Sequence, residues 1–290
     1  MDHNASMKSP ASSLHSGAYE QSHESSSTSS HHKKINAKFI LARPASKRKM
    51  TWPAPRRLLQ IQQVTSADRV NVLEFWRPGL SKSKLTRAFS HQPKLQTSDI
   101  YGALGDPFLI KRQESEKKCV RETLDDTKEI HATCAICHVK DQAGAPVIHF
   151  KDTSCPWLAE VVTSEPQERS SIYKFTLKPN SADINSSKNF LMQWERRDEN
   201  ESETIYFDIF FIDRQQKRKR RVGSMENDFI EITARNESTL EMLQNVMDLS
   251  EPVNTLDKAT SLELTPALEK WLFIHILTFG AWIAFQEKKI

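Results

Sequence analysis

The last stretch of the chain decides the fold: Thr265-Pro-Ala-Leu-Glu-Lys-Trp271-Leu-Phe-Ile-His275-Ile-Leu-Thr-Phe-Gly280-Ala-Trp-Ile-Ala-Phe285-Gln-Glu-Lys-Lys-Ile290. Thr265 suits an N-cap, Pro266 the first helical position and Lys288-Lys289 a C-terminus. We therefore place a helix over 266–288. From Trp271 to Phe285 it is apolar on every side, so it must be wrapped in protein or set in lipid. At 1.5 Å per residue this run covers about 22 Å, against ~30 Å of bilayer hydrocarbon. His275 sits inside the run and Gly280 weakens it as a helix. A helix enclosed by strands fits the length better. A tail anchor using 271–285 is the alternative. His275 reads as a hydrogen-bonded core residue.

Upstream, short apolar runs recur at strand spacing. They are Phe108–Ile110, Val147–Phe150, Tyr173–Lys178, Phe190–Trp194, Ile205–Ile212 and Phe229–Ala234. Several alternate with period two and are rich in β-branched and aromatic residues, the mark of half-buried strands. Turn-forming groups separate them at Asp141–Gly144, Lys178–Asp183 and Arg197–Ser202. Residues 239–249 read as a short amphipathic helix. The expected class is mainly β: an antiparallel closed β-barrel around a central hydrophobic C-terminal helix, preceded by a disordered tail.

The N-terminal part differs in texture. Residues 1–30 hold 11 serines and little to fill a core, so 1–50 read as a disordered Ser/His-rich basic tail. Residues 51–98 read as a partly ordered linker, with order beginning near Trp52–Val64, and 99–290 as the barrel domain. Of the chain's 41 Lys/Arg and 37 Asp/Glu, residues 1–58 hold 10 and 3. The tail is thus basic and the body close to neutral. Such a tail samples polyanions or protein partners, although no aromatics alternate with its charges to stack on bases. The first residues, MDHNASMKSPASSL, contain no apolar run of a secretory signal, and four cysteines do not make a disulfide scaffold. A reducing compartment is expected: the cytoplasm, with membrane association or nuclear import as alternatives.

Only 7 glycines are present, and only Gly102 and Gly105 lie close together. This excludes the G-x-G-x-x-G and G-x-x-x-x-G-K-[ST] phosphate loops and the G-x-S-x-G elbow. There is no H-E-x-x-H, EF-hand loop or kinase signature. Asp208 and Asp213 flank one strand but, five apart, face opposite sides, so they are not an acid/base pair. Cys134-Ala-Ile-Cys137-His138 matches the C-x-x-C-H haem pattern, yet nothing directs export. A zinc site from Cys119, Cys134, Cys137 and Cys155 with His131 or His138 lacks a second C-x-x-C. Redox use would need a thiol of lowered pKa. Buried structural cysteines are the expected reading, with no metal and no cofactor. No catalytic constellation emerges.

The strongest charge feature is Lys217-Arg218-Lys219-Arg220-Arg221. It follows a strand ending near Ile212 and reads as a hairpin loop whose five cations grip anionic headgroups. A solvated turn balanced by Glu195, Glu199, Glu201 and Glu203 explains it too, as does a nuclear-import signal, for which Lys47-Arg48-Lys49 with Arg56-Arg57 is a second candidate.

Three stretches resemble the tubby C-terminal-like superfamily, which includes the phospholipid scramblases and the LURP-one-related proteins. Asp99–Ile110 looks like its early strand–turn–strand. His138–His149 is similar to the next one, of the form x-D-x-x-G-x-P-hydrophobic. Asp208–Arg214 through Arg220–Gly223 resembles the late hairpin before the helix. The resemblance covers about 99–290 and implies a closed barrel around the final helix, serving as a non-enzymatic binding or scaffold module. The proline-rich region, cysteine clusters and acidic calcium segment of scramblases have no counterpart, so scrambling and calcium dependence do not carry over. The phosphoinositide-binding basic positions of tubby proteins have no one-to-one match. Expected partners are anionic membrane lipids, through 217–221, and proteins met by the tail. Nucleic acid is not an expected partner. A nuclear regulator directed by the basic clusters is a further alternative.

Overall fold

Alternation is what builds the wall. In β1 (Ile35–Ala42) the sequence Ile-Asn-Ala-Lys-Phe-Ile-Leu-Ala buries Ile35, Ala37, Phe39 and Leu41 and turns Asn36 and Lys38 outward, as period two requires. The wall runs on through β2 (Arg56–Val64), which alternates likewise, and through β3 (Arg69–Arg77), β4 (Ile100–Leu104), β5 (Thr133–His138) and β6 (Val147–Phe150), which are buried along much of both faces. It continues through β7 (Trp157–Thr163), β8 (Ser171–Leu177), β9 (Phe190–Arg197), β10 (Tyr206–Asp213), β11 (Arg218–Glu226) and β12 (Phe229–Ala234). Each strand pairs antiparallel with the next, and β1 pairs with β12, Phe39 opposite Ile230. The result is a closed barrel with no free edge to seed aggregation. In this computed structural model the described residues are 35–43, 55–79, 95–109, 133–138, 146–151, 156–163, 171–177, 190–197, 204–214, 216–234, 237–250 and 261–287. All belong to the unit His32–Ile290.

Twelve strands enclose more room than their own side chains fill. The chain supplies the plug. After α1 (Glu237–Ser250), α2 (Ser261–Gln286) runs through the lumen. Leu272, Ile276, Leu277, Phe279, Ala281 and Ile283 have no solvent exposure. Phe279 stacks on Phe175 of β8 at 4.0 Å, and Phe273 meets Phe39 of β1 edge-on at 5.2 Å. Gly280 lets the helix approach the wall. A Cβ there would lie 2.6 Å from Ile230 Cδ1 and 3.0 Å from Trp194 Cη2. The helix ends at one rim. There Tyr173, near the start of β8, donates its hydroxyl to Glu287, which also lies 3.7 Å from Arg196 near the end of β9. By length and composition 267–286 would span a membrane, but most of it is buried inside the barrel.

Four expectations need correction. The barrel begins at Ile35, not near 99: β1 lies within the segment read as tail, and β2 and β3 within that read as linker. Serine- and lysine-rich surroundings hid their alternation. Phe108 and Leu109 form no strand. Their segment docks on β2, where Gln63 donates to the Leu109 carbonyl and accepts from its N–H, and Phe108 packs on Phe39 and Phe273. The helix starts at Ser261, so Thr265 and Pro266 lie in its second turn. Finally, Arg218–Arg221 belong to β11 rather than to the loop. Residues 1–34 and the turns 141–144, 178–183 and 198–202 lie outside the described residues.

Candidate functional site

The basic cluster is sorted by its strand. In the β10–β11 pairing Ile212 faces Lys219, Phe211 faces Arg220 and Phe210 faces Arg221. Phe211 is a core residue, so Arg220 leans to the inner side while Lys219 and Arg221 stand on the outer wall. Arg220 is half-buried, and its Nε finds no hydrogen-bond partner. A bulge at Val222-Gly223 then restores the pattern: Val222 and Met225 both reach the core. Gly223 is required there, since a Cβ would lie 2.4 Å from the Glu231 carbonyl oxygen.

The two outward cations are already engaged. Lys219 Nζ is 2.5 Å from Glu195 Oε1 and 4.0 Å from the centre of the Phe210 ring. Arg221 lies 2.8 Å from Asp208 and donates to the Tyr206 hydroxyl at 2.7 Å. Asp208, almost buried, also pairs with Arg197, whose guanidinium lies over the Tyr206 ring at 5.3 Å. That leaves Lys217 and Arg218 exposed at the β10–β11 turn. Lys217 adopts a left-handed φ of 53°, and Asp213 holds the turn by accepting from the Gln216 N–H at 3.1 Å. The five cations are thus divided among three environments. Asp208 and Asp213 do lie on opposite sides of β10: Asp208 is under the outer arginines, Asp213 in register with the inward positions.

The C-x-x-C-H segment is β5. A strand puts neighbours on opposite faces, so Cys137 points into the core and His138 outward, and the three cannot converge on one ion. Cys134 and Cys137 are buried thiols that form no disulfide with each other. Burial, with Cys134 and Asp99 nearby, pushes the Cys137 thiol far above the usual range, opposite to what thiol chemistry needs. Cys119, Cys155 and His131 lie outside the described residues. His275 is a core residue. Its ring is sandwiched between Phe150 at 3.8 Å and Trp271 at 4.0 Å, and Nδ1–H donates to the Trp271 carbonyl at 2.8 Å.

One grouping was invisible in the sequence. On the outer face of β5, His138 Nδ1 lies 2.9 Å from Asp99 Oδ2, and both side chains are almost fully buried. The Gln96 N–H donates to the same oxygen at 2.6 Å. His149 of β6 sits edge-on to His138 with ring centroids 5.2 Å apart. Asp99, His138 and His149 span 51 positions and meet only through the β4–β5–β6 register. On β3, Glu74 accepts from Arg57 (2.8 Å), Gln60 (2.8 Å) and Asn71 (2.9 Å). Burial raises its pKa, but these bonds outweigh burial and hold the carboxyl below the usual range.

No known family model, curated protein or solved structure gives a match to the chain.

Proposed function

We propose that the protein is a non-enzymatic, tubby-like binding module that contacts anionic membrane lipids through the β10–β11 turn. One observation carries this reading: the lumen is occupied by the chain's own helix, so a ligand has to be met on the outside. Of the exposed cations in the basic cluster, Lys219 and Arg221 are paired with carboxylates, and Lys217 and Arg218 stand at the end of the hairpin outside those pairs. A bidentate, immobile phosphate clamp is not what two exposed residues at a hairpin end make. They act as point charges drawn to a negative surface, each worth about 1 kcal/mol near an anionic leaflet.

Cosedimentation with phosphoinositide-containing vesicles tests the reading. Replacing Lys217 and Arg218 with glutamine removes about 2 kcal/mol, a roughly 30-fold loss. Replacing Lys219 and Arg221 instead costs less affinity, because both are already paired. Vesicle binding indifferent to Lys217 and Arg218 at low salt would end the proposal. Nuclear accumulation abolished by the same substitutions would favour import instead.

A further inference from the structure

We propose that His138 and His149 form a binding site for a divalent transition-metal ion of the zinc type, with Asp99 orienting His138. The proposal stands apart from the membrane reading above. Residues directly opposite in the β5–β6 pairing are His138 with Val147 and Ile136 with His149. The two histidines are therefore diagonal neighbours on one face, a spacing that aromatic side chains bridge. Asp99 as a carboxylate only accepts, so His138 Nδ1 carries the proton and Nε2 presents its lone pair. That Nε2 is buried and has no hydrogen-bond partner. A buried acceptor left without a donor is costly and uncommon. A metal ion satisfies it, and an imidazole whose other nitrogen donates to a carboxylate is the usual state of a metal-binding histidine.

The spacing agrees. With metal–nitrogen bonds of about 2.0–2.1 Å and a ring radius of about 1.1 Å, two imidazoles on one tetrahedral ion have centroids about 5 Å apart. The observed separation is 5.2 Å. Among the described residues no third His, Cys, Asp or Glu joins the group, so water fills the other positions and binding is weaker than at a four-ligand structural site. Imidazole donors favour zinc, copper and nickel over magnesium or calcium. His149 is partly exposed and forms the side of entry.

The test uses the full-length chain with His3, His15, His23, His31 and His32 changed to Asn, so that the tail holds no ion. Titrated with Co²⁺, it should develop a saturable visible absorption at one equivalent, competed away by Zn²⁺. His138→Gln and His149→Gln should each weaken binding at least tenfold, and Asp99→Asn roughly 10- to 100-fold. Absence of saturable binding, or binding untouched by either histidine change, overturns the site. Should His138→Gln not fold, ¹⁵N spectra of the imidazoles in the chain with native His138 decide: Zn²⁺ must shift the His138 and His149 ring nitrogens, and unmoved signals at saturating Zn²⁺ refute the proposal.

Discussion

Replacing His275 with Phe should make the protein less sensitive to acid. The imidazole lies inside the barrel between two aromatic faces, with Trp157 edge-on at 5.8 Å. Burial pushes its pKa down from 6.5 to about 3, and the hydrogen bond to the Trp271 carbonyl opposes this only in part. An unfolded chain takes up the proton near pH 6.5, the folded one only near pH 3. Between those values the unfolded state holds the extra proton, so stability falls as pH falls. The contribution is complete above pH 6.5 and is lost progressively toward pH 3, at up to about 1.4 kcal/mol per pH unit. Over three units the loss is on the order of 4 kcal/mol, a large share of an ordinary domain's ~5–15 kcal/mol. Attraction of an imidazolium to the flanking ring faces, about 2 kcal/mol when desolvated, narrows this window without reversing its sign. At pH 7 the ring-for-ring exchange should cost under about 1.5 kcal/mol, and it removes Nε2, which is buried without a partner. The assay is urea denaturation of both proteins at pH 7, 6, 5 and 4, because the difference between them cancels the shared carboxylates. The His275→Phe protein should gain relative to the parent by roughly 3 kcal/mol from pH 7 to pH 4. A difference that stays flat, or that favours the parent in acid, would refute the burial of His275.

Phe279→Ala, which empties the stack on Phe175, should cost about 3–5 kcal/mol, lowering the thermal midpoint by roughly 6–20 °C. Val161→Ala, at a position 44% exposed, should stay within about 0.5 kcal/mol. Asp208→Asn should cost about 1–2 kcal/mol in denaturation, a modest figure because its arginine partners are about half exposed. The same change frees Arg197 and Arg221 and should strengthen sedimentation with anionic vesicles several-fold. Tyr173→Phe should lose the bond to Glu287 and about 1–2 kcal/mol, seen as faster amide exchange confined to the last turn of α2.

The helix and the later strands were legible because burial wrote itself into the residue pattern. An all-round apolar run admits few environments, and Tyr173-Lys-Phe175-Thr-Leu177 or Phe229-Ile-Glu-Ile232 alternate without ambiguity. β1 alternates just as well, but its charged and serine-rich setting outweighed eight residues of pattern. β5 is buried on both faces and carries no alternation to read, so its chemistry-bearing letters, Cys-Ala-Ile-Cys-His, drew attention instead. The basic run shows where sequence reading stops. Five consecutive cations look like one patch, whereas pleat and bulge decide which point outward, and Glu195 and Asp208 on neighbouring strands decide which are neutralised. Asp99, His138 and His149 were unreadable for a related reason: register, set by the whole barrel, brings them together.

α2 fills a barrel built by its own chain. Amide hydrogen exchange of 271–284 in detergent-free buffer tests it most directly. These amides should exchange only through global unfolding, as slowly as those of β10 and β12. Exchange within seconds, or protection that appears only when lipid or detergent is added, would contradict it.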